Sequence, residues 1–322
     1  MNTTSNKGRV PFISKIAYGK GDVGCNFSWM FVSNFLMIFY TDVFGIGMSA
    51  VATLMLISRI WDAVNDPIIG TLTDKTHTRW GRFRPWLLFG APVTAIILML
   101  TFWAHPDWSQ TAKIVYMAVT YCILVLGYTC VNLPYGTLCG AMTQDIDERA
   151  KLNTSRSVSA MIAIGVLNII TVPLVTFLGK GNAQFGYLAV AIIYGIIFAA
   201  CHLFCFSKTK EVVEVPVGQK LPLSVQLKSV LKNRPYQLAI LGQFLFGFIL
   251  YGRNADILYY FTYVEGSATL FSYYSMAIIL PSIAGSRMFP MDVPQDWQQG
   301  ICSSRFRSTL RNIHGIALFL QS

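Results

Sequence analysis

The stretch RIWDAVNDP, residues 59–67, places Arg59, Asp62 and Asp66 in a segment that is otherwise apolar, between AVATLMLIS and IIGTL. On a helix, Asp62 and Asp66 are four residues apart and share a face, with Asn65 beside them and Ser58 one turn back. Ile57, Ile60, Trp61, Val64 and Ile68 cover much of the remaining circumference. One charged side chain at the centre of a membrane span costs about 2.5–3.5 kcal/mol on insertion scales, so three would cost on the order of 8–10 kcal/mol without partners or water. Two arrangements offset that cost. In one, Arg59 and Asp62 form an ion pair and Asp66 sits near the membrane interface. In the other, the two carboxylates and the Asn65 amide oxygen supply hard oxygen ligands for a small monovalent cation. Two close carboxylates also share a proton readily, so the spacing suits Na⁺ and H⁺ alike.

Further polar residues stand inside apolar runs. Asp22 and Asn26 are four apart in the first. Tyr128, Thr129 and Asn132 lie in GYTCVNLPYG, and Arg156 opens a later run. Asn, Tyr and Arg facing an aqueous cavity supply the donors, acceptors and aromatic planes that sugar hydroxyls need. Arg253 and Asp256, three apart, read as a structural ion pair, and His202 as an interfacial residue near a helix end. GKGDVG, residues 19–24, matches G-x-G-x-x-G, but no strand precedes it to present a helix N-terminus to a pyrophosphate. Those glycines read as packing or hinge positions. The seven cysteines have no metal-ligand spacing, and Cys201 with Cys205 reads as packing. No nucleophile–base pair or metal cluster is visible, which argues against an enzyme; no cofactor is implied beyond a coupling ion.

The elements that must position these groups follow from composition. Of 322 residues, 54% are hydrophobic and 12% charged, half the charge of an ordinary soluble domain, and mean hydropathy is +0.50. Eight apolar runs, about 21–41, 48–71, 85–104, 115–138, 157–178, 184–206, 237–263 and 267–285, approach or exceed the roughly 20 residues that cross a bilayer. The sequence therefore predicts an all-α polytopic membrane protein. The net charge of +10 does not point to nucleic acid, because Lys and Arg gather in alternate loops: Lys7, Arg9 and Lys15; Lys75, Arg79, Arg82 and Arg84; Arg149 and Lys151; then Lys208 to Arg234. Basic loops stay cytoplasmic, which puts the N-terminus inside. The polar N-terminal arm lacks the pattern of a cleavable signal peptide, and Asn153-Thr-Ser, a glycosylation sequon, falls in a loop expected to be cytoplasmic. No oligomeric state is legible.

YGKGDVGCNFSWMFVSNFLMIFYTDVFG, RIWDAVNDPIIG, DKTHTRWGRFRPW and NLPYGTL, in this order, resemble the glycoside–pentoside–hexuronide:cation symporters, which include carriers of melibiose and of glucuronides. The resemblance runs from about residue 15 to 285. It implies the major facilitator fold: here a six-helix bundle over 1–206, a cytoplasmic loop over 207–236, and the first two helices of an incomplete second bundle over 237–285. It implies a sugar:cation symporter of the bacterial inner membrane, with Asp62, Asn65, Asp66 and Thr129 holding Na⁺ or H⁺. The sugar, a glycoside or uronide, is expected near Asn26, Tyr128, Asn132 and Arg156. Where the melibiose carrier has a Lys-Asp pair in its first helix, this chain has Cys25 and Asn26. That carrier's fourth-helix aspartate corresponds to Asn132, and a sugar-stacking tryptophan to Gly136. Amides in place of carboxylates argue against an α-galactoside and repel a uronate less. Residues 286–322 contain no span-length apolar run, so this stretch reads as an atypical tail, out-of-frame or otherwise replaced, and the chain as truncated after its eighth span; a short form with a folded cytoplasmic tail is the other reading of the same stretch. The alternative expectation is a membrane remnant that does not transport.

Overall fold

A chain that crosses a bilayer must satisfy its backbone hydrogen bonds internally, which helices do. The computed structural model describes residues 9–213 and, beyond them, 234, 237, 238, 240–245, 247, 257, 260–266, 270, 271, 273, 274 and 277. Among the described residues six long helices form: α1 Phe12–Ile38, α2 Met48–Lys75, α3 Arg84–Thr101, α4 Gln110–Met142, α5 Ile146–Gly179 and α6 Ala183–Lys208. A wider π turn, Phe39–Val43, continues α1. These correspond to the first six expected spans. The seventh and eighth fall largely outside the described residues, as do Arg253, Asp256 and all of 286–322.

Several helices extend past their apolar runs because polar residues cap them. Asp145 accepts the backbone N–H groups of Asp147 and Glu148 at 2.8 and 3.0 Å, which starts α5 eleven residues ahead of the apolar run expected from residue 157. Ser109 and Asn182 cap α4 and α6 in the same way, and Pro85 stands in the first turn of α3. Five of the helices are long and apolar enough to cross a membrane. The sixth, α2, has 28 residues, about 42 Å at 1.5 Å per residue. It has the length, but its charged stripe keeps it out of the apolar class.

Packing follows from which faces carry small residues. α1 lies along α5 and α6, α3 along α6 and α4, and α2 chiefly along α4. A Cβ on Gly19 would meet Ser155 and Ser159, one on Gly21 the Tyr135 ring, and one on Gly24 the rings and side chains of His202 and Cys201. GKGDVG is thus a packing seam, as the absence of a preceding strand implies. His202 departs from its expected interfacial place. It is fully buried, with Nδ1 2.8 Å from the Phe198 carbonyl and Nε2 3.4 Å from Cys25 Sγ, because α1 crosses above it at Gly24.

An aromatic core of Phe31, Phe35, Phe39, Phe102 and Tyr194 fills one end of the bundle, with Phe31 stacked on Phe102 at 4.3 Å. At the other end Tyr135 stacks on Tyr18 and donates its hydroxyl to the Tyr18 carbonyl. Outward-facing Ile57, Phe89, Ile96, Val115 and Phe177 are exposed, an apolar surface suited to lipid rather than water. Glu211, just past α6, accepts the N–H groups of Arg82, Phe83 and Arg84 at 2.8–3.0 Å. Its carboxylate caps the N-terminus of α3.

Candidate functional site

A cavity of about 1120 Å³ opens between α1, α2, α4, α5 and the stretch holding Gln243, Phe244 and Gly247. Each helix contributes residues at helical spacing. α1 presents Asp22, Cys25, Asn26 and Trp29; α2 presents Leu56, Arg59, Asp62 and Asp66; α4 presents Tyr128, Thr129, Asn132 and Leu133; α5 presents Arg156 and Ala160. Intervals of three and four residues keep each set on one face, so four stripes separated in sequence meet at one place.

On the α1–α5 side the polar groups are locked. Arg156 Nε–H donates to Asp22 Oδ1 at 2.8 Å, an ion pair whose aspartate is 8% exposed at the side chain and whose arginine is 36% exposed. Asn26 Nδ2 donates to Asp22 Oδ2 at 3.0 Å and to the Asp22 carbonyl at 2.8 Å. Because a carboxylate only accepts, these bonds fix the Asn26 amide with Oδ1 left as its acceptor. Asn132 Oδ1 lies 3.6 Å from the Cys25 thiol, which donates to it, so the Asn132 NH₂ is left as a donor. The Arg156 guanidinium also sits 5.4 Å from the Tyr135 ring centre. Trp29 and Tyr128 stack at 4.6 Å with planes 24° apart, giving the cavity an aromatic wall.

The α2 side is held more loosely. Thr129 Oγ1 donates to Asp62 Oδ1 at 3.4 Å, near the limit for such a bond. The structure does not contain the alternative Arg59–Asp62 ion pair. Among the described residues the pairs are Lys15–Glu148, Arg82–Asp74, Lys151–Glu148 and Arg156–Asp22. Asn65 also departs from expectation. It lies on the buried stripe of α2 with Ser58, Ile69 and Thr73, away from the cavity, and its Nδ2 is buried with no partner among the described residues. Position 65 is about 100° around the helix from Asp66, which carries it onto the packed side.

The structure therefore brings together Asp62, Asp66, Thr129, Asn26, Tyr128, Asn132 and Arg156, and leaves Asn65 outside. Asp62, Asp66 and Thr129 offer only oxygen, which suits Na⁺ or a proton. Trp29 was missed by sequence reasoning, although it stands three residues after Asn26 and seven after Asp22 on the same face. An aromatic residue in an apolar run carries no signal by itself.

Over residues 17–291 the chain matches the family described as MFS/sugar transport protein. It is 37% identical over 278 residues to the putative glycoside/cation symporter YagG of Escherichia coli strain K12, covering 85% of this chain and 60% of that protein. It is 35% identical to the isoprimeverose transporter of Lactiplantibacillus pentosus, covering 83% and 56% of the two chains. It is 33% identical to the glucuronide carrier protein homolog of Escherichia coli strain K12, covering 84% and 58%. The chain thus spans about three-fifths of the length of these relatives.

Proposed function

This chain belongs to the MFS/sugar transport protein family, and from that membership we propose that its cavity is the shared cation and sugar site of an inner-membrane glycoside:cation symporter. The observation that carries the reading is the meeting of Asp62 and Asp66, the amides of Asn26 and Asn132, the Asp22–Arg156 pair and an aromatic wall in one cavity. The names of the relatives, a glycoside/cation symporter and an isoprimeverose transporter among them, support it. Asp62 and Asp66 hold the cation, Na⁺ or H⁺, and Thr129 adds a hydroxyl oxygen. Asn26, Asn132 and Arg156 hydrogen-bond the sugar hydroxyls, and Tyr128 with Trp29 faces its apolar side.

Coupling follows from charge. With the cation absent, Asp62 and Asp66 repel one another along one helix face. A cation between them neutralises one charge and draws α2 and Thr129 of α4 onto a common ligand. Sugar binding to α4 through Asn132 then meets an ordered wall, and by linkage the sugar raises cation affinity by the same factor. Alternating access converts that mutual affinity into uphill transport, with the cation bound first. On this reading the N-terminus is cytoplasmic, an orientation that the alternation of basic loops supports, and reporter fusions after residues 110 and 182 should read periplasmic.

Uptake of labelled glycosides in cells expressing the protein with Asp62→Cys or Asp66→Cys tests the assignment. Both variants should insert normally and lose cation-coupled accumulation. Undiminished uphill uptake in both would mean that the carboxylates are structural.

A further inference from the structure

Apart from the central cavity, a recess of about 490 Å³ lies on the outer surface of the bundle between α3 and α4. Its lining on α3 runs from Pro85 to Ile97, about 18 Å of helix rise, close to the roughly 15 Å of hydrocarbon in one leaflet. Phe89, Val93 and Ile123 stand exposed as its walls. The floor is closed because the two helices approach at Gly90 and Gly127, where an added Cβ would come within 2.9 Å of Val131 and Thr94 respectively. The hydroxyls in the lining are spent within the protein. Thr94 Oγ1 donates to the Gly90 carbonyl at 2.9 Å. Thr76 Oγ1 donates to the Leu72 carbonyl at 2.9 Å and accepts from Trp86 Nε1 at 3.1 Å. The recess therefore offers water or a sugar little to bond, and an alkyl chain supplies the contacts that its apolar walls would otherwise forgo.

The end of the recess at Thr76 and Trp86 adjoins the basic loop between α2 and α3. Trp80 packs edge-on against Phe89 with ring centres 6.0 Å apart, and the Arg79 guanidinium sits 4.3 Å from the Trp80 ring centre. Its neighbours in the loop are engaged. Arg82 donates to the carboxylate and the carbonyl of Asp74, and Arg84 donates to the Phe206 carbonyl. Arg79 and Lys75 are exposed, and neither enters an ion pair among the described residues.

We infer that this recess is a lipid site: it takes one acyl chain of an anionic phospholipid, whose phosphate meets Arg79 with Lys75 beside it. The depth and spent hydroxyls of the recess select the chain, and the unmatched guanidinium selects the charge of the headgroup. Trp80 and Trp86 stand at its mouth, at the level where a membrane's interfacial tryptophans lie. Basic pockets beside membrane helices hold such headgroups. The site is independent of the sugar and cation assignments, and needs only that α3 and α4 cross the bilayer, for which both are long and apolar enough.

The test is native mass spectrometry of the purified protein, titrated with phosphatidylglycerol and, separately, with phosphatidylcholine bearing the same two chains. The first phosphatidylglycerol should bind about fivefold tighter or more than the first phosphatidylcholine, the scale of one basic side chain acting on an anionic lipid. Arg79→Gln should bring that ratio close to one, and Arg79→Lys should keep it. Val93→Trp fills the recess and should weaken the first binding of both lipids. Both positions are exposed, so the unfolding midpoint should not move. Should Val93→Trp fail to accumulate, Ile123→Trp on the opposite wall gives the same readout. Equal affinities for the two lipids overturn the inference, as does a ratio unmoved by Arg79→Gln or binding unmoved by the recess-filling variant. A dimer that the recess-filling variant splits overturns it too, because a second copy of the chain would then be what covers this face.

Discussion

On the α1–α5 side of the cavity, Asp22, Asn26 and Arg156 form a closed network with bonds of 2.8–3.0 Å. On α2, Asp62 accepts a bond of 3.4 Å from Thr129, and Arg59 enters no ion pair among the described residues. Both clusters bring charge into a membrane bundle, yet only the first repays its desolvation from within. The helices differ in the same sense. α1 is clasped by α5 and α6 and buries residues around much of its circumference. α2 leans mainly on α4 and leaves Ile57, Ile60, Val64 and Ile68 exposed. On the proposed reading the first cluster is the fixed wall that shapes the sugar, and the second supplies the oxygen ligands of the cation.

Breaking the locked network should give the largest effect. Arg156→Ala would leave Asp22 buried with its charge unmatched, a loss of 3–5 kcal/mol for a fully buried pair. The guanidinium is 36% exposed, so a loss of about 2–3 kcal/mol is expected here, together with loss of sugar binding. Thermal unfolding of the purified protein measures the first and calorimetry the second. A variant as stable as the parent would show that the network is no more closed than the α2 cluster.

A smaller pair of substitutions sharpens the contrast between the helices. Gly21→Ala pushes a methyl into the Tyr135 ring, which is pinned by its stack on Tyr18, and should cost about 1–3 kcal/mol. Gly70→Ala on α2 meets open space and should be neutral or stabilising by up to about 1 kcal/mol. Equal shifts in the unfolding midpoint would remove the distinction between a clasped and an open helix.

The first six helices were legible because span-length apolar runs separated by basic loops leave few alternatives, and Asp62 with Asp66 was legible from spacing. The Asp22–Arg156 pair was not, because its members are 134 residues apart and only tertiary packing joins them. His202 was assigned by its position near a helix end, a rule that cannot foresee a glycine on α1 drawing that helix over the ring. Asn65 was grouped with Asp66 by adjacency, but one residue is 100° of helix, enough to move a side chain from cavity to interior. Glu211 sits in a basic segment whose composition gives no hint that its carboxylate caps α3.

The central claim is that the α2 cluster is the cation site and the α1–α5 network the sugar wall. Its most direct test is the affinity of a glycoside, measured by calorimetry on the purified protein in lipid nanodiscs, with and without Na⁺ and across pH, in the parent protein and in Asp62→Asn and Asp66→Asn. The parent should bind about tenfold tighter when the coupling cation, Na⁺ or H⁺, is saturating, a coupling of about 1.4 kcal/mol. Each variant should still bind sugar and lose that dependence. Cation dependence that survives intact in both variants, or a parent affinity indifferent to Na⁺ and pH alike, would contradict the account.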